Sequence, residues 1–403
     1  MIIGMAFSLQ AQRVCQTPEY YKQIMAQAPA SLLGTIGQGA GRDTVRNEIL
    51  VVPVVIHVLY RTAQENISPE QIASQIAILN QDFRRRNPDK INTPEAFRNV
   101  AADAGITFCL ARTDPMGRPT SGVIRKYTGE DYFMMDDKMK FAKTGGDNAW
   151  DPTKYLNIWV CNLGNRNLGY ASLPGGPADK DGVVINCTAF GNTGIARAPF
   201  NKGRTSTHEI AHWLGLKHIW GDNRCASDGI DDTPAQEGYN FYCPSFPHMS
   251  SCSPDANGDM FMNFMDFTDD ACMNMFTKGQ AQEMRGQFAL NMARNSFLNS
   301  FVCDSALASG APVTDTIPAP RPVFSAQVFP NPVTNFIRLK IEGLSSLEGL
   351  QVTLLDALGR KLWMKTVNEK VTEFPSPALV PGIYYLRLTG PGTLKVLKVV
   401  KIN

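Results

Sequence analysis

The sequence predicts an α/β (α+β) unit organised by a mixed sheet and one site-bearing helix, followed by a small all-β sandwich. Residues 48–303 alternate apolar strand-like runs with helix signals. Residues 305–323 (SALASGAPVTDTIPAPRPV) are rich in Pro, Ala, Ser and Thr, a composition that cannot bury a core and reads as a linker. Beyond them the hydrophobic period falls to two, in short runs punctuated by Asn331-Pro332, Leu358-Gly359 and Pro381-Gly382. A chain of 403 residues is long enough for more than one such unit.

Taken in order, MIIGMAFSLQAQ ends in a small-residue pattern suited to signal peptidase but lacks a charged start, so residues 1–12 read as part of a signal peptide that begins upstream. Residues 13–46 are small, polar and Gly-containing, with basic cleavage sites at Arg42 and Arg46, and read as a removable propeptide. Glu48–Tyr60 is a buried strand. Ser68-Pro69-Glu70-Gln71 opens a helix that continues through Ile72, Ile76, Leu79 and Phe83. Strands are predicted at 106–111, 155–161 and 182–187, then a helix containing His208, then a helix from the capping box Thr277-x-x-Gln280 to about Phe297. The predicted boundaries are 47–303 for the first unit, 304–324 for the linker and 325–403 for the sandwich.

Hydrophobic residues make up 43% and charged residues 19%, as in folded globular chains, and 39 basic against 37 acidic residues give no electrostatic reason to expect nucleic acid. The longest apolar run, ILVVPVVIHVLY, is too short to span a bilayer and contains Pro53, so no transmembrane helix is expected. Four of nine cysteines, Cys225, Cys243, Cys252 and Cys272, crowd together, too far apart in sequence for zinc-finger pairs; disulfides in an oxidising compartment are the expectation.

Three of the five histidines fall in His208-Glu209-Ile210-Ala211-His212-Trp213-Leu214-Gly215-Leu216-Lys217-His218. Histidines at i and i+4 share one helix face, so both rings can reach one ion. Gly215 permits the left-handed turn that returns the chain and brings His218 to the same point. Three neutral nitrogen donors with an open fourth position suit a catalytic rather than a structural zinc. Glu209, beside the first ligand, can then take a proton from water and pass it to a leaving amine, the chemistry of amide hydrolysis. Ser206-x-x-Glu209 also fits a capping box, in which Glu209 would serve only the helix end.

This run resembles the metzincin metallopeptidases, and within them the pappalysin family. The resemblance rests on the extended zinc motif, Asn263-Phe264-Met265-Asp266, the strand VVPVVIHVLY, the segment IxxQIxxLNQDFRR, Tyr155-Leu156-Asn157-Ile158-Trp159-Val160 and Asp231-Asp232-Thr233-Pro234. It implies a metzincin-like catalytic domain with Met265 in the turn beneath the metal, and disulfides Cys225–Cys252 and Cys243–Cys272. It also implies calcium in the acidic stretch 222–270, which holds ten acidic residues against one basic, Arg224. Asp228, Asp232 and Thr233 are the candidate calcium ligands, against a solvated acidic loop. Where the family places tyrosine two residues after the turn methionine, this chain has Phe267, which lacks a hydroxyl to stabilise a tetrahedral intermediate.

Arg13-Val14-Cys15-Gln16-Thr17-Pro18-Glu19 resembles the propeptide motif whose thiolate occupies the open zinc position, so Cys15 would be a latency switch. The family's preference for a basic residue just after the scissile bond points to Asp269 or Asp270 in that pocket, and 169–173 would pair with extended substrate. Val328-Phe329-Pro330-Asn331-Pro332-Val333, 356–360 (DALGR) and 381–385 (PGIYY) resemble the sorting domain of the type IX secretion pathway. That implies export through the periplasm of a Gram-negative bacterium to the medium or cell surface, with the secretion machinery and protein or peptide substrates as partners. The rival expectation is a calcium-stabilised surface module that keeps the scaffold with little or no turnover.

Overall fold

The computed structural model describes residues 13, 15–27, 48–164, 167–300, 302–303, 325–342, 347–357, 360–390 and 393–402. The signal-peptide, Arg42, Arg46, linker and Leu358-Gly359 expectations lie outside these residues. The chain divides into two compact units, Met1–Gly310 and Ala311–Asn403, each taken by itself.

In the first unit the helices are α1 (Thr17–Gln27), α2 (Pro69–Asp82), α3 (Glu95–Arg98), α4 (Arg204–Trp213) and α5 (Lys278–Gly286). The strands are β1 (Leu50–Tyr60), β2 (Ala101–Ala102), β3 (Ile106–Leu110), β4 (Val123–Tyr127), β5 (Leu156–Cys161), β6 (Gly169–Ala171), β7 (Val183–Asn186) and β8 (Phe276–Thr277). The main sheet runs β3-β1-β5-β7-β6, with β4 beside the C-terminal half of β1. Its pairings are parallel except for β6, which runs antiparallel along the edge of β7.

A parallel strand covered on both faces must be apolar throughout rather than alternating. That is why β1 reads LVVPVVIHVLY and buries nearly every residue. One face of the sheet, through Val54, Ile56, Ile158 and Ile185, packs with α2 and α4 into the main core. The opposite face, through Leu59, Trp159, Val184 and Tyr170, closes a second cluster with Phe133 and Met139.

Ser68 caps α2 by accepting from the Gln71 amide, with Pro69 in its first turn. Thr277 and Gln280 form a reciprocal capping box on α5. This helix stops at Gly286, short of the expected Phe297: glycine weakens the helix there, Asn291 is left-handed at φ 66°, and the chain turns so that Arg294 reaches Asp181 and the Trp213 carbonyl. Disulfides join Cys225 to Cys252 and Cys243 to Cys272, the implied pairs, and Cys109 to Cys303, whose partners the sequence left open.

The second unit contains β9 (Ser325–Val328), β10 (Phe336–Glu342), β11 (Gln351–Leu355), β12 (Lys361–Thr366), β13 (Val371–Pro375), β14 (Gly382–Gly390) and β15 (Thr393–Lys401). They form two antiparallel sheets, β13-β10-β9 and β12-β11-β14-β15. Alternation supplies the core between them: Ile337, Leu339 and Ile341 point inward, with Leu354, Leu386 and Val399 among their partners. Among the described residues no helix is long and apolar enough to cross a membrane.

Candidate active site

Helix α4 starts at Gly203, which sits at φ 70° and offers no side-chain cap. Ser206 therefore lies inside the helix, and Glu209 is not its capping partner. Every residue of α4 is buried. After Trp213 the chain turns at Gly215 (φ 96°), and an added Cβ there would meet Gln287 Nε2 at 2.7 Å. The turn closes with the Leu216 amide donating to the Ala211 carbonyl at 3.0 Å, and brings His218 back to the helix.

The Nε2 atom of His212 lies 3.1 Å from those of His208 and His218. Each ring is aimed by its other nitrogen: His208 Nδ1 on the Phe264 carbonyl at 2.6 Å, His212 Nδ1 on the Leu216 carbonyl at 2.7 Å, and His218 Nδ1 on Asp222 Oδ1 at 2.5 Å. With Nδ1 donating, Nε2 keeps its lone pair, so three bases face one point. Burial, reinforced by the neighbouring imidazoles, pushes His208 well below its ordinary range and His212 down to about 3, so these rings stay neutral donors. Trp220 stacks on His218 at 4.3 Å.

Met265 is fully buried; its carbonyl accepts from the Ile219 amide at 3.3 Å, while the preceding Phe264 carbonyl holds His208. The methionine turn thus aims the first imidazole and holds the backbone beside the third. Phe267 packs against His218 at 4.8 Å, Trp220 at 4.8 Å and Tyr239 at 5.4 Å.

Cys15 joins the three histidines in one buried group whose donor atoms all lie within 4.8 Å of one another. Its thiol also meets Glu209 Oε2 at 3.4 Å, and Thr17 Oγ1 donates to the same oxygen at 2.9 Å. Burial pushes Glu209 up to about 7, against those two bonds. The segment lies along β6: Cys15 bridges Gly169, the Gln16 amide donates to the Gly169 carbonyl, and the Ala171 amide donates to Thr17 Oγ1. Gly169 has no room for a side chain, since a Cβ would stand 2.7 Å from the Val184 carbonyl oxygen and 3.0 Å from Glu209.

Arg13 is the residue the sequence reading passed over, although it begins the motif containing Cys15. It is buried, its Nη2 ion-paired with Asp270 Oδ1, its Nε donating to the Thr268 carbonyl at 3.2 Å and its Nη1 to Thr205 Oγ1 at 3.3 Å. The guanidinium carbon lies 5.1 Å from the Phe200 ring centre. Asp270 Oδ2 accepts from the amides of Lys202 at 2.7 Å and Arg204 at 3.2 Å. Asp269 is partly exposed and feels the Arg13 charge, while Asp270 makes the ion pair. Asp222, also passed over, was detectable at i+4 from His218.

The expected calcium residues are close but do not all point to one centre. Thr233 Oγ1 donates to Asp228 Oδ1 at 2.9 Å, and Asp232 Oδ2 accepts from the Gly279 amide at 2.9 Å. Asp228 Oδ2 and Asp232 Oδ1 are buried without a partner. Burial raises Asp228 to about 6.

Residues 141–289 match the family model described as pregnancy-associated plasma protein-A, and residues 327–402 match the secretion system C-terminal sorting domain. An extracellular metalloprotease of Arthroderma gypseum is 30% identical over 59% of this chain and 71% of its own length. One from Verticillium alfalfae is 31% identical over 64% and 91%. Among solved structures, mature mirolysin of Tannerella forsythia with a cleaved peptide is 49% identical, covering 62% of this chain and 96% of its own, with a TM-score of 0.61. A promirolysin mutant from the same organism is 44% identical over 71% and 97%, with a TM-score of 0.62. The second unit is a type IX sorting tail, which places the protein outside the cell or on its surface. With its fold, its histidine cluster and these relatives taken together, the chain belongs to the pregnancy-associated plasma protein-A (pappalysin) family of zinc metalloproteases.

Proposed function

We propose that the protein is a latent endopeptidase in which His208, His212 and His218 hold the zinc and Glu209 handles the proton. The observation that supports this is three Nε2 atoms meeting at one point, each with its Nδ1 bonded elsewhere, beside one buried carboxylate. Neutral imidazoles in a polar pocket enclosed by apolar walls are a donor set suited to zinc. Zinc held there supplies Lewis acidity that polarises an amide carbonyl and acidifies water. When Cys15 and Thr17 withdraw, Glu209 Oε2 loses its partners and is placed to take a proton from water and deliver it to the leaving amine. Met265 and its turn keep the imidazoles in register.

Residues 13–46 act as the inhibitory segment. Cys15 supplies a fourth, soft donor among the imidazoles and bonds the base, while the β6 edge that would pair with substrate is taken by residues 15–17. Arg13 fills a pocket built from Asp270, Thr205, Thr268 and Phe200, which supports a preference for Arg or Lys after the scissile bond. Of the two acids considered, Asp270 is the one facing this pocket. The orphaned oxygens of Asp228 and Asp232 suit a structural calcium ion, with Thr233 reorienting to join them. Residues 325–403 address the chain to the type IX machinery of a Gram-negative host.

The decisive experiment is Glu209→Ala in protein cleared of the leading segment. It should retain one zinc per chain and lose nearly all cleavage of an Arg-containing peptide; substantial residual turnover would refute the assignment of the base. Phe267 favours the low-turnover surface module, and a zymogram before and after trimming, with and without a zinc chelator, separates the two readings.

A further inference from the structure

A second device lies on the opposite face of the sheet from the histidine cluster. Five residues after Cys15, Tyr20 of α1 passes over the β6 edge and buries its ring beside Tyr170, centres 4.8 Å apart. Its hydroxyl donates to Asp137 Oδ2 at 3.0 Å and accepts from Lys140 Nζ at 3.0 Å. Lys140 has no exposed side-chain surface and lies over the rings of Tyr20 at 4.6 Å, Tyr170 at 5.0 Å and Trp159 at 5.5 Å. Asp137, whose backbone is left-handed at φ 60°, also meets Lys180 Nζ at 3.1 Å and Tyr170 Oη at 3.3 Å.

These walls do not depend on Tyr20. Without it, Lys140 keeps Asp137 Oδ1 at 3.0 Å and the Lys180 carbonyl at 2.8 Å, and Phe133 and Met139 still line the apolar part. What remains is a preformed hole with an aromatic floor and one donor and one acceptor converging on the position of a phenol oxygen. A non-glycine residue held left-handed at the acceptor is the kind of local strain that function retains. The segment also shows that a chain leaving β6 at Thr17 in a helical turn reaches this hole five residues after Cys15.

We propose that, once the leading segment is gone, this socket is a substrate-recognition site that takes a tyrosine side chain of a protein substrate lying along β6. The proposal rests on the reading that residues 13–46 are removed. Tyrosine is selected because its hydroxyl accepts from Lys140 Nζ and donates to Asp137 Oδ2, two bonds that phenylalanine cannot make. With each hydrogen bond contributing a factor of a few, losing the two together gives an expected preference of about tenfold.

The test uses the full chain trimmed by limited proteolysis of its leading segment. Quenched peptides with one Arg-directed cleavage site carry Tyr, Phe or Ala, scanned four to seven residues to either side. At one spacing the Tyr peptide should show a KM about tenfold below the Phe and Ala peptides, with kcat little changed. A labelled peptide of residues 16–27 supplies a readout free of catalysis: it should bind the trimmed protein about tenfold more tightly than its Tyr20→Phe version. Equal KM at every spacing, or equal binding of the two peptides, overturns the socket. Loss of all cleavage with the binding preference intact would instead count against the proposed hydrolytic mechanism.

Discussion

The sharpest consequence of the Arg13 pocket concerns Asp270. Its side chain is completely buried, one oxygen on the Arg13 guanidinium and the other on two amides at the start of α4. Asp270→Asn keeps the size and one acceptor but removes the charge. A buried hydrogen bond to a charged group contributes about 1.5–3 kcal/mol, and at 1.4 kcal/mol per tenfold this is roughly a 10- to 150-fold factor. In trimmed protein, kcat/KM should fall by that factor for a peptide with Arg after the scissile bond. For the matching citrulline peptide, uncharged but of the same shape, it should change less than about threefold, because no ion pair is lost there. In the untrimmed chain the same substitution leaves Arg13 buried beside a neutral amide, so latency should weaken as specificity does. Parallel falls for the Arg and citrulline peptides would refute the pocket and make Asp270 a residue that merely supports α4.

Cys15→Ser should raise activity of the untrimmed chain above its basal level while leaving residues 15–17 on β6, since serine keeps a bond to Glu209 but is a poorer zinc ligand; unchanged latency in a peptide assay would contradict the switch. Adding calcium to calcium-depleted trimmed protein that metal analysis shows to retain its zinc should raise the melting temperature, and Asp228→Asn should abolish that response; a thermal scan with no calcium effect in the parent would remove calcium. Replacing Cys109 and Cys303 by serine opens a loop of sequence separation 194, and denaturant unfolding should show a loss of roughly 3–5 kcal/mol. Burial raises Asp266 to about 6. Its native form therefore takes up a proton that the unfolded chain, at about 3.8, does not, so its contribution to stability grows as pH falls from 6 towards 4. The parent should lose more stability than Asp266→Asn as pH rises across that window, and parallel slopes in urea titrations would refute the shift.

The histidine cluster was readable because its chemistry is written in local spacing. The interval from His208 to His212 is one helical turn, and Gly215 marks where the helix must stop for His218 to return. The alternating strands of the second unit and the apolar run of β1 were readable for the same reason: each encodes a face of a sheet within a few neighbours. The helix from Thr277 was correct at its capped start and wrong at its end. A cap is a local signal, whereas the stop at Gly286 is set by Arg294 reaching Asp181 and Trp213, far away in sequence.

Arg13 and Tyr20 escaped for a related reason, and what they have in common bears on mechanism. Neither has a partner nearby in the chain: Arg13 pairs with Asp270 and Tyr20 with Asp137. A cysteine alone among three imidazoles would form a contact that any strong competing ligand could displace. Here the same stretch is also held on one side by a buried ion pair and on the other by a buried phenol, with Cys15 and the β6 bridge between them. Because the three contacts share one short tether, loss of any one leaves its group held at high local concentration by the other two. Release therefore calls for cutting the chain rather than outcompeting the thiol. Thiol reagents or a zinc ligand should open the site far less completely than proteolysis does, and a chain activated fully by such a reagent alone would show that Arg13 and Tyr20 contribute nothing to latency.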